Sequence, residues 1–118
     1  MMIGGEPSYN TRREAGAVCE EATKAVLEAL RSYLKSNGRR ILSILRALSQ
    51  DEVAIEIHAL YSYFVPRAKL SRLEKAVEIL ANAGVRKLAK GVSLEISDSI
   101  KIVVSADFVE EALRRDSP

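Results

Sequence analysis

The sequence has few of the residues that stabilise secreted, metal-binding or membrane-spanning proteins. Cys19 is the only cysteine and His58 the only histidine, so neither an internal disulfide bond nor a usual set of metal ligands is available. No apolar run approaches the roughly 18 residues that cross a bilayer, and residues 1–10 do not resemble a secretory signal. We therefore expect a cytoplasmic protein that has no cofactor and does not insert into a membrane.

Tryptophan is absent and glutamine occurs once, as Gln50, whereas charged residues make up 29% of the chain. This balance is typical of thermophilic proteins, for example archaeal ones. Apolar residues make up 47% of the sequence, enough for a packed core. We expect a flexible tail over 1–10, which has no apolar period, followed by a single domain over 11–118.

Motifs of catalysis are also missing. The sequence has no glycine-rich phosphate loop, no nucleophile with a matching histidine and acid, and no carboxylate pair placed by a motif. His58 lies in an apolar segment, where packing or surface exposure is its expected role. We therefore expect a binding protein and not an enzyme.

Charge is distributed unevenly along the chain, although the net charge is only +2. Residues 67–90 carry a balance of +5, whereas residues 91–118 carry −3. A basic segment of this kind favours an anionic partner such as nucleic acid. The basic residues of the segment are Arg67, Lys69, Arg72, Lys75, Arg86, Lys87 and Lys90.

The first half of the sequence predicts three helices. Apolar residues recur at helical spacing within 11–37, after a capping-box pair formed by Thr11 and Glu14, and Asn37-Gly38 supplies a left-handed stop. The apolar residues of 39–48 predict a short buried helix. A second capping pair, Ser49 with Glu52, begins a helix over about 51–64 that ends before Pro66.

The second half predicts a helix, a hairpin and a final helix. Leu70, Leu73, Val77 and Leu80 repeat at intervals of three and four up to Gly84. Apolar and polar residues then alternate in two segments within 92–104, separated by the turn residues 97–99, which predicts a β-hairpin. A capping-type pair at 107 and 110 begins a helix within 107–116.

The last three of the four helices that precede the hairpin, together with the hairpin itself, resemble the winged-helix superfamily in their order. The segment 70–87, LSRLEKAVEILANAGVRK, resembles the recognition helix of archaeal and bacterial regulators of that family, where a glycine leads from the helix into the wing. The resemblance covers residues 39–105 and implies an α+β fold with an extra N-terminal helix and a short C-terminal helix. Asp98 at the predicted wing tip opposes contact between the wing and phosphates.

The resemblance and the basic segment together predict a DNA-binding protein, a transcriptional regulator that uses residues 67–90 on double-stranded DNA. Arg72 and Lys75 are expected to reach the groove, and the other basic residues to neutralise phosphates. An alternative is a winged helix that binds proteins within a larger transcription or membrane-remodelling assembly. The same basic surface could then bind an acidic protein.

The long N-terminal helix has a broad apolar stripe that has to be buried. The stripe could wrap its own domain, or it could pair with a second copy, and winged-helix regulators often dimerise through terminal helices. We expect a homodimer, with Cys19 either a buried thiol or close to its symmetry mate. The predicted interface consists of Val18, Cys19, Ala22, Val26, Leu30 and Tyr33.

Overall fold

In the part of the chain that the structure describes, three α-helices are combined with a small antiparallel sheet. A computed structural model describes the backbone of residues 5–66 and 70–115 and the side chains of residues 18–66 and 70–114. Its elements in chain order are α1 (Gly5–Leu48), β1 (Glu52–Glu56), a 3-10 helix (Ile57–Tyr63), α2 (Leu73–Asn82), β2 (Lys87–Ala89), β3 (Val92–Ile96), β4 (Ile100–Ser105) and α3 (Ala106–Arg115).

The sheet has the strand order β1-β4-β3-β2, and every neighbouring pair is antiparallel. One face contributes Ile55, Leu94 and Ile102 to the core, where the helices cover it. The other face exposes Glu52, Glu56 and other polar or small side chains to solvent. This arrangement is common for antiparallel sheets and confirms the expected α+β class with its long N-terminal and short C-terminal helices.

The predicted break in the first helix at Asn37-Gly38 is wrong, because α1 continues to Leu48. The Asn37 side chain donates hydrogen bonds to the Tyr33 carbonyl (3.1 Å) and to the Tyr63 hydroxyl (3.4 Å). Gly38 is buried, and a Cβ atom on it would lie 3.2 Å from the side chain of Leu113 in α3. The glycine therefore allows α3 to approach the helix, and the predicted separate helix over 39–48 is the end of α1.

Ser49 lies at the end of α1. The predicted capping pair of Ser49 and Glu52, which would have begun a new helix, is therefore wrong. The φ of 56° at Ser49 is left-handed, the Ser49 amide donates to the Arg46 carbonyl at 3.2 Å, and the Gln50 amide donates to the Leu45 carbonyl at 2.9 Å. These two bonds form a Schellman motif, which satisfies carbonyl groups that the helix end would otherwise leave unpaired. Glycine usually occupies the left-handed position.

We predict that Ser49→Gly stabilises the protein. The left-handed backbone costs an L-residue roughly 1–2 kcal/mol, and the greater freedom of glycine in the unfolded chain offsets about half of that gain. The free energy of unfolding, measured with urea, should therefore rise by about 0.5–1 kcal/mol. Ser43→Gly, at an exposed position inside α1, should instead lower it by about 0.5–1 kcal/mol. Equal effects of the two variants would contradict the assigned motif.

The predicted helix over 51–64 is also wrong: the segment forms β1 and the 3-10 helix. Val53, Ile55 and Ile57 point inward at alternate positions, and Ile55 lies opposite Ile102 of β4. Val53, Ile57 and Leu60 have helical spacing as well, so the sequence fits both periods. Pairing with β4, which is distant in sequence, selects the strand.

The later elements follow the prediction more closely. The hairpin of β3 and β4 is confirmed, with Ile96 opposite Ile100 beside the turn, and the sheet extends beyond it to the short strand β2, where Lys87 pairs with Ser93. The final helix is confirmed as well. Its N-terminal cap is Ser105, whose Oγ accepts a hydrogen bond from the Phe108 amide at 3.1 Å, and not the predicted pair at 107 and 110.

The N-terminal end of the chain differs from the predicted tail and helix start. Residues 1–4 lie outside the described residues, whereas 5–10 belong to α1, so Thr11 lies inside a helix that begins at Gly5 and not near residue 12. The side chains of the predicted pair at 11 and 14 lie outside the described part. Among the described residues, no helix combines the length and the apolar character needed to cross a membrane.

Candidate nucleic-acid interface

The structure describes five of the seven basic residues that the sequence assigns to DNA contact. Arg67 and Lys69 lie outside the described side chains. The other five are all exposed to solvent, and they fall at the two ends of α2. They are Arg72, Lys75, Arg86, Lys87 and Lys90.

Two basic side chains lie at the N-terminal end of α2. Arg72 is the cap residue, with extended backbone (φ −141°, ψ 148°), and its carbonyl accepts the Lys75 amide at 3.1 Å. Leu73, Val77 and Leu80 pack into the core from the opposite side of the helix. The Lys75 side chain is therefore held away from the core, on the face that α2 presents to solvent.

The remaining three basic residues follow the C-terminal end of α2. Gly84, with φ 78°, takes the chain out of the helix, and the Arg86 carbonyl then accepts a hydrogen bond from the Leu94 amide. Lys87 belongs to β2, and Lys90 precedes Gly91, whose φ is 83°. A side chain at position 91 would collide with the Ser105 side chain, so the turn that presents Lys90 requires glycine.

The two basic groups do not form one continuous patch. α2 contains ten residues, so its two ends lie about 15 Å apart. Glu78 is exposed between these ends and Glu74 in the first turn, so that the two acids balance the charges of Arg72 and Lys75. The basic residues of 67–90 that the structure describes are thus divided by acidic groups.

One of these acids interacts with the 3-10 helix. The Tyr61 hydroxyl is hydrogen-bonded to the Glu74 carboxylate. Partial burial raises the pKa of the Tyr61 hydroxyl above its ordinary value, and the charge and the hydrogen bond of Glu74 raise it further. The phenol therefore remains a protonated donor at neutral pH, directed at the first turn of α2.

The second half of α1 is a basic region that sequence reasoning missed. Residues 29–50 contain five basic residues and no acidic one. Arg39, Arg40 and Arg46 are exposed along the continuous helix. Arg40 donates to the Asn37 side chain at 2.9 Å, and Arg46 forms an exposed ion pair with Glu110 at 3.3 Å. The lack of acidic residues in 29–50 could have revealed this basic region in the sequence. The predicted break at 37–38 concealed it, because it divided the segment between two helices.

The 3-10 helix connects this part of α1 to the first turn of α2. The Tyr33 and Tyr63 rings pack edge to face, with centroids 5.6 Å apart, and Asn37 links the Tyr63 hydroxyl to Arg40. Two residues before Tyr63, Tyr61 bonds to α2. The C-terminal half of this short helix thus has contacts both with the Asn37–Arg40 pair and with the first turn of α2.

Half of the predicted dimer interface lies inside the chain's own core. Ala22, Val26 and Leu30 have no exposed surface, because α1 packs against α2, α3 and the 3-10 helix. Cys19 and Tyr33 are half-buried and pack against that core, and Val18 is half-buried. The stripe of α1 therefore wraps its own domain from residue 22 onward, and the homodimer stays a prediction.

The described residues offer no group of three or more histidine, cysteine, aspartate or glutamate side chains that could hold a metal ion. The candidate site consists of exposed cations, at the N-terminal end of α2 and in and beside β2. A scan against protein-family models and searches of curated proteins and of solved structures found no match to this chain.

Proposed function

We propose that the protein is a DNA-binding winged-helix domain that contacts duplex DNA with the N-terminal end of α2. The observation that carries this proposal is the orientation of α2. Its apolar face is buried, while Arg72 and Lys75 are exposed at its first turn. In helix-turn-helix proteins the N-terminal residues of the recognition helix contact the base edges.

Three further features support the proposal. α2 leads through Gly84 into the sheet that contains the β3–β4 hairpin, which is the order expected of a recognition helix and its wing. The positive end of the α2 dipole lies beside Arg72, and helix N-termini attract phosphate. Arg39 and Arg40 of α1 add exposed positive charge on a second element, which could contact the backbone of a duplex.

The acidic residues on α2 define which part of this surface contacts DNA. Glu78 would repel phosphates near the middle of the helix, whereas Glu74, although it lies in the first turn, faces Tyr61 of the 3-10 helix. Contact is therefore concentrated at the first turn, where Arg67 and Lys69 are also close in sequence. In this arrangement Arg86, Lys87 and Lys90 make a separate contact at the other end of α2.

The test is fluorescence anisotropy of a labelled random-sequence duplex, titrated with the protein at several salt concentrations. Replacing Arg72 and Lys75 together with alanine should weaken binding about tenfold and reduce the slope of log affinity against log salt by about 1.8, since each phosphate contact contributes about 0.9. Absence of binding at low salt would overturn the proposal.

A matched control separates local contact from net charge. Lys24→Ala with Arg114→Ala removes the same two charges, from exposed positions on α1 and on α3. This variant should keep the affinity and the salt slope within a factor of two of the unchanged protein. An equal loss in both variants would show that only the overall charge matters.

Protein recognition is a second candidate, favoured by a specific observation. Ile44 and Leu48, at the end of α1, are 50% and 59% exposed. They lie one turn apart on one side of the helix, next to exposed arginines. An acidic partner with an apolar anchor would fit this basic and apolar surface. Under this alternative the domain should bind an acidic protein and should not bind duplex DNA.

A further inference from the structure

A groove lies between the 3-10 helix, α2 and the turn of the β3–β4 hairpin, on a side of α2 that the proposed DNA contact does not use. It is open to solvent and has a volume of about 500 Å³. Val77 and Ala81 of α2 line it together with Ile57 and Ile100. This part of its surface is apolar and favours an occupant that brings apolar side chains.

The charged groups around the groove all have one sign. Glu74 and Glu78 line it from α2, and Asp98 lines it from the hairpin turn. All three are exposed, and no lysine or arginine is among the described residues that line the groove. The groove is therefore a negative site in a protein whose net charge is +2.

Two aromatic rings complete the wall formed by the 3-10 helix. The His58 and Tyr61 rings lie with centroids 5.1 Å apart, and Tyr61 is 37% exposed. The bond between the Tyr61 hydroxyl and Glu74 fixes the ring beside an acid. An exposed tyrosine face next to a carboxylate suits a lysine or arginine side chain, which gains a cation–π contact and a charge contact together.

We propose that this groove binds a basic peptide segment of another protein, one that alternates lysine or arginine with large apolar residues. Charge complementarity identifies the occupant: three carboxylates repel nucleic acid and acidic proteins, and the apolar wall distinguishes an amphipathic segment from a small inorganic cation. The peptide site and the proposed DNA contact use different faces of α2, so each can exist without the other.

Binding of an amphipathic leucine–lysine peptide carrying a fluorescent label tests the proposal on the full chain. Its anisotropy should rise with protein concentration, whereas a matched peptide with glutamate in place of each lysine should not bind. Replacing Glu74 and Glu78 with glutamine and Asp98 with asparagine should weaken binding about tenfold, since partly exposed ion pairs each contribute a few tenths to 1 kcal/mol.

Two further variants identify the site. Tyr61→Ala keeps all three carboxylates and should weaken binding several-fold through loss of the aromatic wall. A triple control, Asp51→Asn with Glu52→Gln and Glu95→Gln, removes the same charge from the opposite face of the sheet and should bind as the unchanged protein does. Equal weakening by the control, or equal binding of the glutamate peptide, would overturn the proposal.

Discussion

Leu30→Ala should lower the free energy of unfolding by about 2–5 kcal/mol, the usual cost of deleting a fully buried leucine side chain. Leu30 has no exposed surface and lies in a core that joins α1 to the other helices and the sheet. The loss arises within one chain. Urea unfolding followed by circular dichroism should therefore give the same loss at low and at high protein concentration.

The prediction separates a core role for Leu30 from the role in a dimer that the sequence suggested. If Leu30 lay between two copies, its truncation would weaken association, and the loss of stability would be absent at low protein concentration and would grow as the concentration rises. Ile44→Ala is the matched control, because Ile44 lies on the same helix and is 50% exposed. We expect this control to change the free energy by no more than about 0.5 kcal/mol.

Gly38→Leu should destabilise the protein by about 1–3 kcal/mol, the cost of inserting a large side chain into a filled space. The sign of this change in stability is informative, because leucine forms helices better than glycine does and would stabilise a solvent-exposed helical position by nearly 1 kcal/mol. At Gly38 the space is already occupied by Leu113, 3.2 Å from the position of a new Cβ atom. The substitution therefore forces α3 away from α1.

Ser36→Leu provides the comparison, since Ser36 is exposed on the same helix two residues earlier. Thermal unfolding of both variants should show a lower melting temperature for Gly38→Leu and little change for Ser36→Leu. Gly38→Ala should be affected less than Gly38→Leu, because only one carbon has to be accommodated. A higher melting temperature for Gly38→Leu would contradict the close approach of the two helices.

The elements that the sequence predicts correctly have an unambiguous period. Leu73, Val77 and Leu80 fit only a helix, and Val92 and Leu94 alternate with polar residues as only a strand does. The segment from Val53 to Leu60 satisfies both periods, and its state is decided by pairing with β4, which lies about fifty residues later. Local pattern could not resolve that choice.

The error at Asn37-Gly38 has a similar origin and a consequence for the candidate site. These two residues are a valid stop signal in isolation, but contacts with Tyr63 and Leu113 make them part of a continuous helix. The exposed position of Lys75 followed directly from the helical period of α2, whereas Arg72 precedes the helix and has extended backbone. The basic half of α1 did not, because the predicted break at 37–38 divided it, and the acidic groove did not, because its residues come from different elements.

The edge of the sheet has a consequence for solubility. β1 lies at one end of the strand order, with Glu52 and Glu56 at its two ends. If two copies paired antiparallel along this edge with Ala54 at the centre, each Glu52 would lie opposite Glu56 of the other copy, and both cross-strand pairs would repel. The two glutamates thus disfavour pairing of this exposed edge with strands of other molecules, which is the step by which exposed strands start to aggregate.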